Sequence, residues 1–149
     1  GFGPEALAQL TRLYWYTVEF GLINTEHGLR IYGAGILSSK GECDYSLNSP
    51  APNRIGFDLQ RVMSTRYRID TYQKTYFVID DFQQLFEATF ADFAPVYGQL
   101  TESAAVPAGE VLSGDKVFTR GTGEGWLTGG DANARQITVA FAPQRASRL

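Results

Sequence analysis

The stretch at 10–22, L-T-R-L-Y-W-Y-T-V-E-F-G-L, holds a single acid, Glu19, among Trp15, Tyr16, Val18, Phe20 and Leu22. A carboxylate in such company can be half of an ion pair, accept backbone donors, or offer oxygen ligands to a metal. Ionised Glu is seldom buried without a partner, because desolvation is costly or shifts the pKa. Arg12 shares its helical face but lies seven positions back, beyond the reach of an i,i+4 pair. The partner must therefore come from elsewhere: an arginine such as Arg30, Arg66 or Arg68, a set of backbone donors, or a metal. On the residues alone, an arginine is favoured over a metal. His27, the one histidine, sits in the turn-rich Asn24–Gly28 and reads as a solvated loop residue. Cys43, the one cysteine, excludes an internal disulfide and suits a reducing compartment.

The elements that must position Glu19 follow from periodicity. Pro4 suits the first helical position and Glu5 the first turn. Leu7, Leu10, Tyr14, Val18 and Leu22 continue at helical spacing, which predicts one helix ending near Ile23. Trp15 and Glu19 fall at i,i+4, so the indole is expected over the carboxylate's turn. Leu29 to Leu37 (L-R-I-Y-G-A-G-I-L) reads as extended, with Gly33 and Gly35 baring one face to a close neighbour, either a ring of the fold or a ligand. The run lacks a phosphate-loop pattern. Ser38 or Ser39 reads as the N-cap of a following turn or helix, with Glu42 in its first turn. Phe57–Met63 reads as a short helix, Thr71–Ile79 as a β-branched and aromatic strand. Asp80 or Asp81 then caps a helix reaching towards Tyr97, with Phe82, Leu85, Phe86 and Thr89 at core spacing.

The chain of 149 residues is long enough for one domain with a real core. All eight Tyr and eight of the ten Phe precede Gly98. Beyond it the hydrophobic runs are short, and five glycines fall between Gly121 and Gly130. Val111–Leu112, Lys116–Thr119 and Gln136–Phe141 read as short strands, and Ala142–Leu149 as a disordered tail. A net charge of −3 argues against a nucleic-acid footprint. No apolar run approaches a membrane span, and no signal-peptide pattern opens the chain. The opening G-F-G-P, without an initiator Met, is expected of a piece of a longer protein. No repeat or heptad run is present.

Five segments together resemble the aromatic amino acid hydroxylases, their bacterial phenylalanine 4-hydroxylase branch most of all. They are R-L-Y-W-Y-T-V-E-F-G-L-I at 12–23, I-Y-G-A-G-I-L-S-S at 31–39, P-N-R-I-G-F-D at 52–58, T-R-Y-R-I-D-T-Y-Q-K-T-Y-F-V-I-D at 65–80 and F-A-P-V-Y at 93–97. The resemblance is ungapped and covers about two thirds of the chain. It implies a mononuclear non-haem Fe(II) held by two histidines and one carboxylate on one face. It also implies a tetrahydropterin that supplies two electrons, and hydroxylation of L-phenylalanine by O2 to tyrosine. By position in the motif, Glu19 is the implied carboxylate ligand, which reverses the preference for an arginine. Tyr14 matches a tyrosine beside iron and pterin, and Trp15 a tryptophan on which the substrate ring packs. Gly35 and Ser38 match residues lining the amino-acid site, and Glu42 one that supports the site from behind. Ile69 matches a position that is Asp in tyrosine hydroxylases and aliphatic in phenylalanine hydroxylases, which implies an apolar floor for an unsubstituted phenyl ring.

The sequence departs from the family in one respect: the H-x-x-x-H helix that supplies both histidines has no counterpart here, and His27 cannot replace it. The clamp for the substrate carboxylate and most of the pterin site are likewise implied to lie upstream. The 149 residues are therefore expected to be inactive alone. The expected fold is mainly α, α+β by strict naming, as the C-terminal half of a hydroxylase catalytic domain. Residues 1–97 are expected to form that portion and residues 98–149 a glycine-rich, partly disordered extension. The intact enzyme is expected to be a cytoplasmic monomer with no nucleic-acid or membrane partner. The isolated chain, with its Leu10–Leu22 face uncovered, is expected to self-associate. The competing readings are a tyrosine or tryptophan hydroxylase, and a non-catalytic module that binds aromatic ligands.

Overall fold

The computed structural model describes residues 3–90 and 105–126. Among them the architecture is α+β, with a five-stranded sheet flanked by helices. Helix α1, Pro4–Tyr14, begins on Pro4 and carries Glu5 in its first turn and Arg12 in its last, each suited to the helix dipole. It does not continue as an α-helix to Ile23. Trp15–Glu19 form one π-helical turn, in which the Phe20 amide donates to the Trp15 carbonyl at 2.9 Å. The Thr17 hydroxyl donates to the Leu13 carbonyl at 2.6 Å, a back-bond that competes with the regular helical ladder. Helical structure stops at Glu19, and Leu22–Thr25 is strand β1, which takes Leu22 and Ile23 from the expected helix and Asn24 and Thr25 from the expected turn.

Strand β1 turns at Glu26–His27 and returns antiparallel as β2, Gly28–Ile31. Gly28 takes φ +98°, a conformation costly for any residue with a Cβ. The expected strand over Leu29–Leu37 is therefore short. It ends at Ile31, and Ala34–Leu37 form a helical turn, α2. Ser39, not Ser38, caps α3, Lys40–Asn48, accepting from the Glu42 amide at 3.2 Å.

Strand β3, Asn53–Gly56, runs parallel to β4, Thr75–Ile79, which runs parallel to β1. β4 begins four residues later than the aromatic run at Thr71 suggested. Every residue of it is buried, as a central parallel strand requires. Its alternation divides the core. Phe77 and Ile79 join Leu13, Tyr16, Val62, Met63 and Tyr67 under α1 and α4, Leu59–Met63. Tyr76 and Val78 join Leu22 and Ile36 on the other face, where α3 packs.

Asp81 caps α5, Phe82–Phe90, accepting from the Gln84 amide at 2.8 Å. The expected core face of α5 is corrected. Phe82 and Phe86 are both 58% exposed, and Leu85 and Ala88 are the residues that pack on the core. A 3.6-residue period marks an apolar face but not what covers it. The helix's expected reach to Tyr97, the strand at Gln136–Phe141 and the tail at Ala142–Leu149 lie outside the described residues.

Residues 105–126 return to the sheet. β5, Val117–Thr119, pairs antiparallel with β3, while Val111–Leu112 form no strand. Val106 exchanges backbone bonds with Ser64 and Arg66 at 2.8 and 2.9 Å. The Arg61 guanidinium grips both carboxylate oxygens of Asp115, at 2.9 and 3.2 Å, with both side chains buried. Asn53 ties the segment further, donating to the Gly109 carbonyl at 3.0 Å and accepting from the Gly121 amide at 2.8 Å.

Candidate active site

The π turn decides what Glu19 meets. An i,i+4 spacing would have set the Trp15 indole beside the carboxylate. The widened turn instead brings Tyr14, five residues back, whose hydroxyl donates to Glu19 Oε1 at 3.1 Å. Single π turns recur at functional sites, and here the turn is also where the helix ends. Glu19 is half-buried, and Oε2 has no side-chain partner among the described residues. The arginines favoured from the residues alone are not paired with it: Arg68 lies 4.0 Å from Asp70, and Arg30 is exposed on the hairpin.

The backbone of Glu19 is held against two glycines. A Cβ on Gly33 would lie 2.5 Å from both the Glu19 carbonyl oxygen and the Gly21 amide nitrogen. One on Gly35 would lie 2.9 Å from that oxygen and from the Phe20 ring. The close neighbour implied by the two glycines is thus the Glu19–Gly21 backbone with Phe20, an internal contact. Gly33 also accounts for the chain's path, since its amide donates to the Gly21 carbonyl at 3.1 Å.

Trp15 sits among aromatic rings. Its ring stacks on Tyr67 with centroids 4.3 Å apart and leans on Phe20 at 4.6 Å. Its Nε1 donates to Gln73 Oε1 at 3.2 Å. Gln73 was not singled out from sequence, because an amide ahead of an apolar strand carries no periodic signal. Its backbone amide donates to Glu42 Oε2 at 3.2 Å, and the Tyr76 hydroxyl donates to the same oxygen at 2.6 Å. Burial pushes the Glu42 carboxyl above the usual carboxylate range, and these two bonds partly offset that. Burial and the neighbouring Glu42 push the Tyr76 phenol upward too, so it stays a donor. Glu42 therefore sits behind Trp15, joined to it through Gln73.

The remaining candidates are at the surface. The Ser38 hydroxyl donates to the Gly35 carbonyl at 2.9 Å, which ties it to α2. Ile69, 40% exposed, follows the buried Arg68 in the loop before Gln73. Tyr14, Trp15, Glu19 and Gly35 are thus brought together, Glu42 lies behind them, and Ser38 reaches the group through Gly35. His27 is exposed beside Glu26 at 3.3 Å on the β1–β2 turn.

Whether these residues fit a metal can be read from the donor set. Glu19 offers one oxygen already oriented by Tyr14 and one uncommitted. Among the described residues, no three of His, Cys, Asp and Glu converge. The site therefore fits a metal as the source of one carboxylate ligand, with the others supplied from outside these residues. A separate cleft of about 570 Å³ lies at the C-terminal ends of β3 and β4, between Phe57, Arg61, Asp80 and Lys116. Glu19 is not among the residues that line it. None of the described helices is long and apolar enough to cross a membrane.

Residues 1–99 match the family described as biopterin-dependent aromatic amino acid hydroxylase. The chain is 64% identical over 121 residues to a phenylalanine-4-hydroxylase of Chromobacterium violaceum, covering 81% of this chain and 41% of that protein. It is 63% identical over 126 residues to one of Ralstonia nicotianae, covering 85% and 40%. The iron- and phenylalanine-bound crystal structure of phenylalanine hydroxylase from Chromobacterium violaceum superposes with a TM-score of 0.74 at 65% identity, covering 76% of this chain and 42% of that one. The chain spans about two fifths of the length of the curated relatives it matches.

Proposed function

Given that the chain belongs to the biopterin-dependent aromatic amino acid hydroxylase family, we propose that it is the C-terminal portion of a phenylalanine 4-monooxygenase. The observation that carries this reading is the Glu19 carboxylate, aimed by Tyr14 with one oxygen uncommitted, in a chain nearly two-thirds identical to a phenylalanine-4-hydroxylase. On this reading Glu19 is one ligand of an Fe(II), and two histidines come from the segment upstream. Fe(II) with tetrahydropterin supplies the activation of O2 that hydroxylates the para carbon of L-phenylalanine.

The chain's own residues hold and shape. Tyr14 fixes one oxygen of Glu19 and borders the pterin. Trp15 packs on the substrate ring, with Gly35 and Ser38 lining the amino-acid side. Ile69 gives the ring an apolar floor with nothing to bond a para hydroxyl, which favours phenylalanine over tyrosine. An apolar pocket disfavours an added hydroxyl only modestly, by about 100-fold, so the floor biases the choice of substrate without enforcing it. Glu42 supports Trp15 from behind.

Residues 1–97 then belong to a mainly helical catalytic domain, and residues 98–149 form a C-terminal extension. The intact enzyme is a cytosolic monomer acting on free amino acid, without nucleic acid or membrane. The isolated chain lacks the activity, and exposed Leu7, Leu10 and Val18 promote its self-association.

Calorimetric Fe(II) titration of this chain, the full-length protein and its Glu19→Ala variant tests the reading. Tight binding by the full-length protein, weakened in Glu19→Ala, supports it. Equal binding with and without Glu19 refutes it.

A further inference from the structure

The indole of Trp15 is fixed on three sides. One face stacks on Tyr67, the Phe20 ring packs tilted against it with centroids 4.6 Å apart, and its N–H donates to Gln73 Oε1. An indole nitrogen is a donor only, so the group opposite must be an acceptor. Gln73 presents its acceptor because both ends of its amide are committed. Nε2 donates to the Arg68 carbonyl at 2.7 Å, and Oε1 also accepts from the Arg68 amide at 3.4 Å. A flipped amide would set NH2 against two donors. Gln73 is fully buried, and its backbone amide is bound to Glu42, which β4 anchors through Tyr76. The orientation of the amide is thus inherited from the centre of the sheet and passed to the indole.

We propose that Gln73 is a positioning residue whose side-chain carbonyl sets the tilt of the Trp15 ring against the substrate's aromatic ring. The inference rests on the reading of Trp15 as part of the substrate site. Gln73 acts through the indole and touches no substrate itself. Ring pairs depend on offset and tilt as well as distance, so loss of the acceptor changes how the substrate ring is presented without removing any surface it touches.

The test is a double-mutant cycle in the full-length protein between Gln73→Met, which keeps shape and removes the acceptor, and Trp15→Phe, which removes the donor. Gln73→Met should lower kcat/KM for phenylalanine about 10-fold, with KM for tetrahydropterin within about twofold. In the Trp15→Phe background the same change should cost less than about twofold, because no indole remains to be held. Deuterium exchange of the Trp15 indole N–H, followed by NMR, should accelerate at least about 10-fold in Gln73→Met. Equal losses of kcat/KM in both backgrounds, or unchanged indole exchange, would overturn the inference.

If Gln73→Met fails to fold because Arg68 loses its partners, Gln73→Glu measured at a pH where the buried carboxyl is protonated keeps an acceptor towards the indole and an O–H donor towards the Arg68 carbonyl. Slow exchange in that variant supports the inference and fast exchange overturns it. If the unsubstituted protein hydroxylates no phenylalanine, the functional reading falls and takes the substrate side of this inference with it. The exchange measurement still decides whether Gln73 holds the indole.

Discussion

The Tyr76 hydroxyl donates to Glu42 Oε2 across 2.6 Å, joining the central strand to α3 in the buried interior. Because burial raises the Glu42 carboxyl, the folded state holds this proton more tightly than the unfolded chain does. Its contribution to stability is complete below the ordinary glutamate pKa and is lost as pH rises through the raised one. Urea unfolding of the full-length protein should therefore show stability falling above about pH 4.5, and Glu42→Gln should flatten that slope. An unchanged slope in Glu42→Gln would refute the assignment.

Tyr14→Phe removes one hydroxyl from a half-buried pair. Stability should change by no more than about 1 kcal/mol. Fe(II) affinity of the full-length protein should fall about 10-fold, as is usual when a ligand's orienting partner is lost. Titration calorimetry with matched unfolding curves separates the two effects, and unchanged iron affinity would remove Tyr14 from the site.

Gly33→Ala places a methyl 2.5 Å from two backbone atoms, neither of which can swing aside. The expected cost is about 1–3 kcal/mol of stability, accompanied by weakened Fe(II) binding, because the displaced backbone is that of Glu19. Unfolding midpoints and iron titration should move together. An alanine tolerated without loss would show that the Glu19–Gly21 segment yields.

Asp115→Ala strips the partner from the buried Arg61 guanidinium. Leaving such a charge unpaired costs about 3–5 kcal/mol, so the unfolding transition should shift markedly although Asp115 is far from Glu19 in sequence. A surface-like loss below about 1 kcal/mol would show that residues 105–126 are not integral to the fold.

The isolated chain should sediment as a concentration-dependent oligomer and bind a hydrophobic dye, because Leu7, Leu10 and Val18 are exposed. Extending the chain upstream should suppress both. A monomer that ignores the dye would count against a missing covering segment.

Much of the local structure was legible. Pro4 and Glu5 located the start of α1, the pairs Ser38/Ser39 and Asp80/Asp81 located two caps to within one residue, and the Thr71–Ile79 run contained β4 with four residues to spare. What misled was apolar spacing read without tertiary context. Leu22 continues the period of Leu10, Tyr14 and Val18, yet it belongs to a strand, because the π turn resets the phase. Phe82 and Phe86 share a face that stays more than half exposed among the described residues, although Phe82 meets Tyr32 edge-on. The importance of Glu19 could be read from its apolar setting, but its assignment as a ligand came from family resemblance and not from spacing. Gln73 and Asp115 were invisible, since each is defined by partners far away in the chain.

β5 forms late in synthesis. It lies at residues 117–119, yet it covers the open edge of β3, which begins at Asn53. During translation the strands before it emerge first, so the β3 edge is bare until the ribosome has moved well beyond Thr119. An uncovered edge strand invites pairing with other nascent chains. Truncations or stalled products ending before Val117 should therefore depend on holdase chaperones to a degree that the completed polypeptide does not.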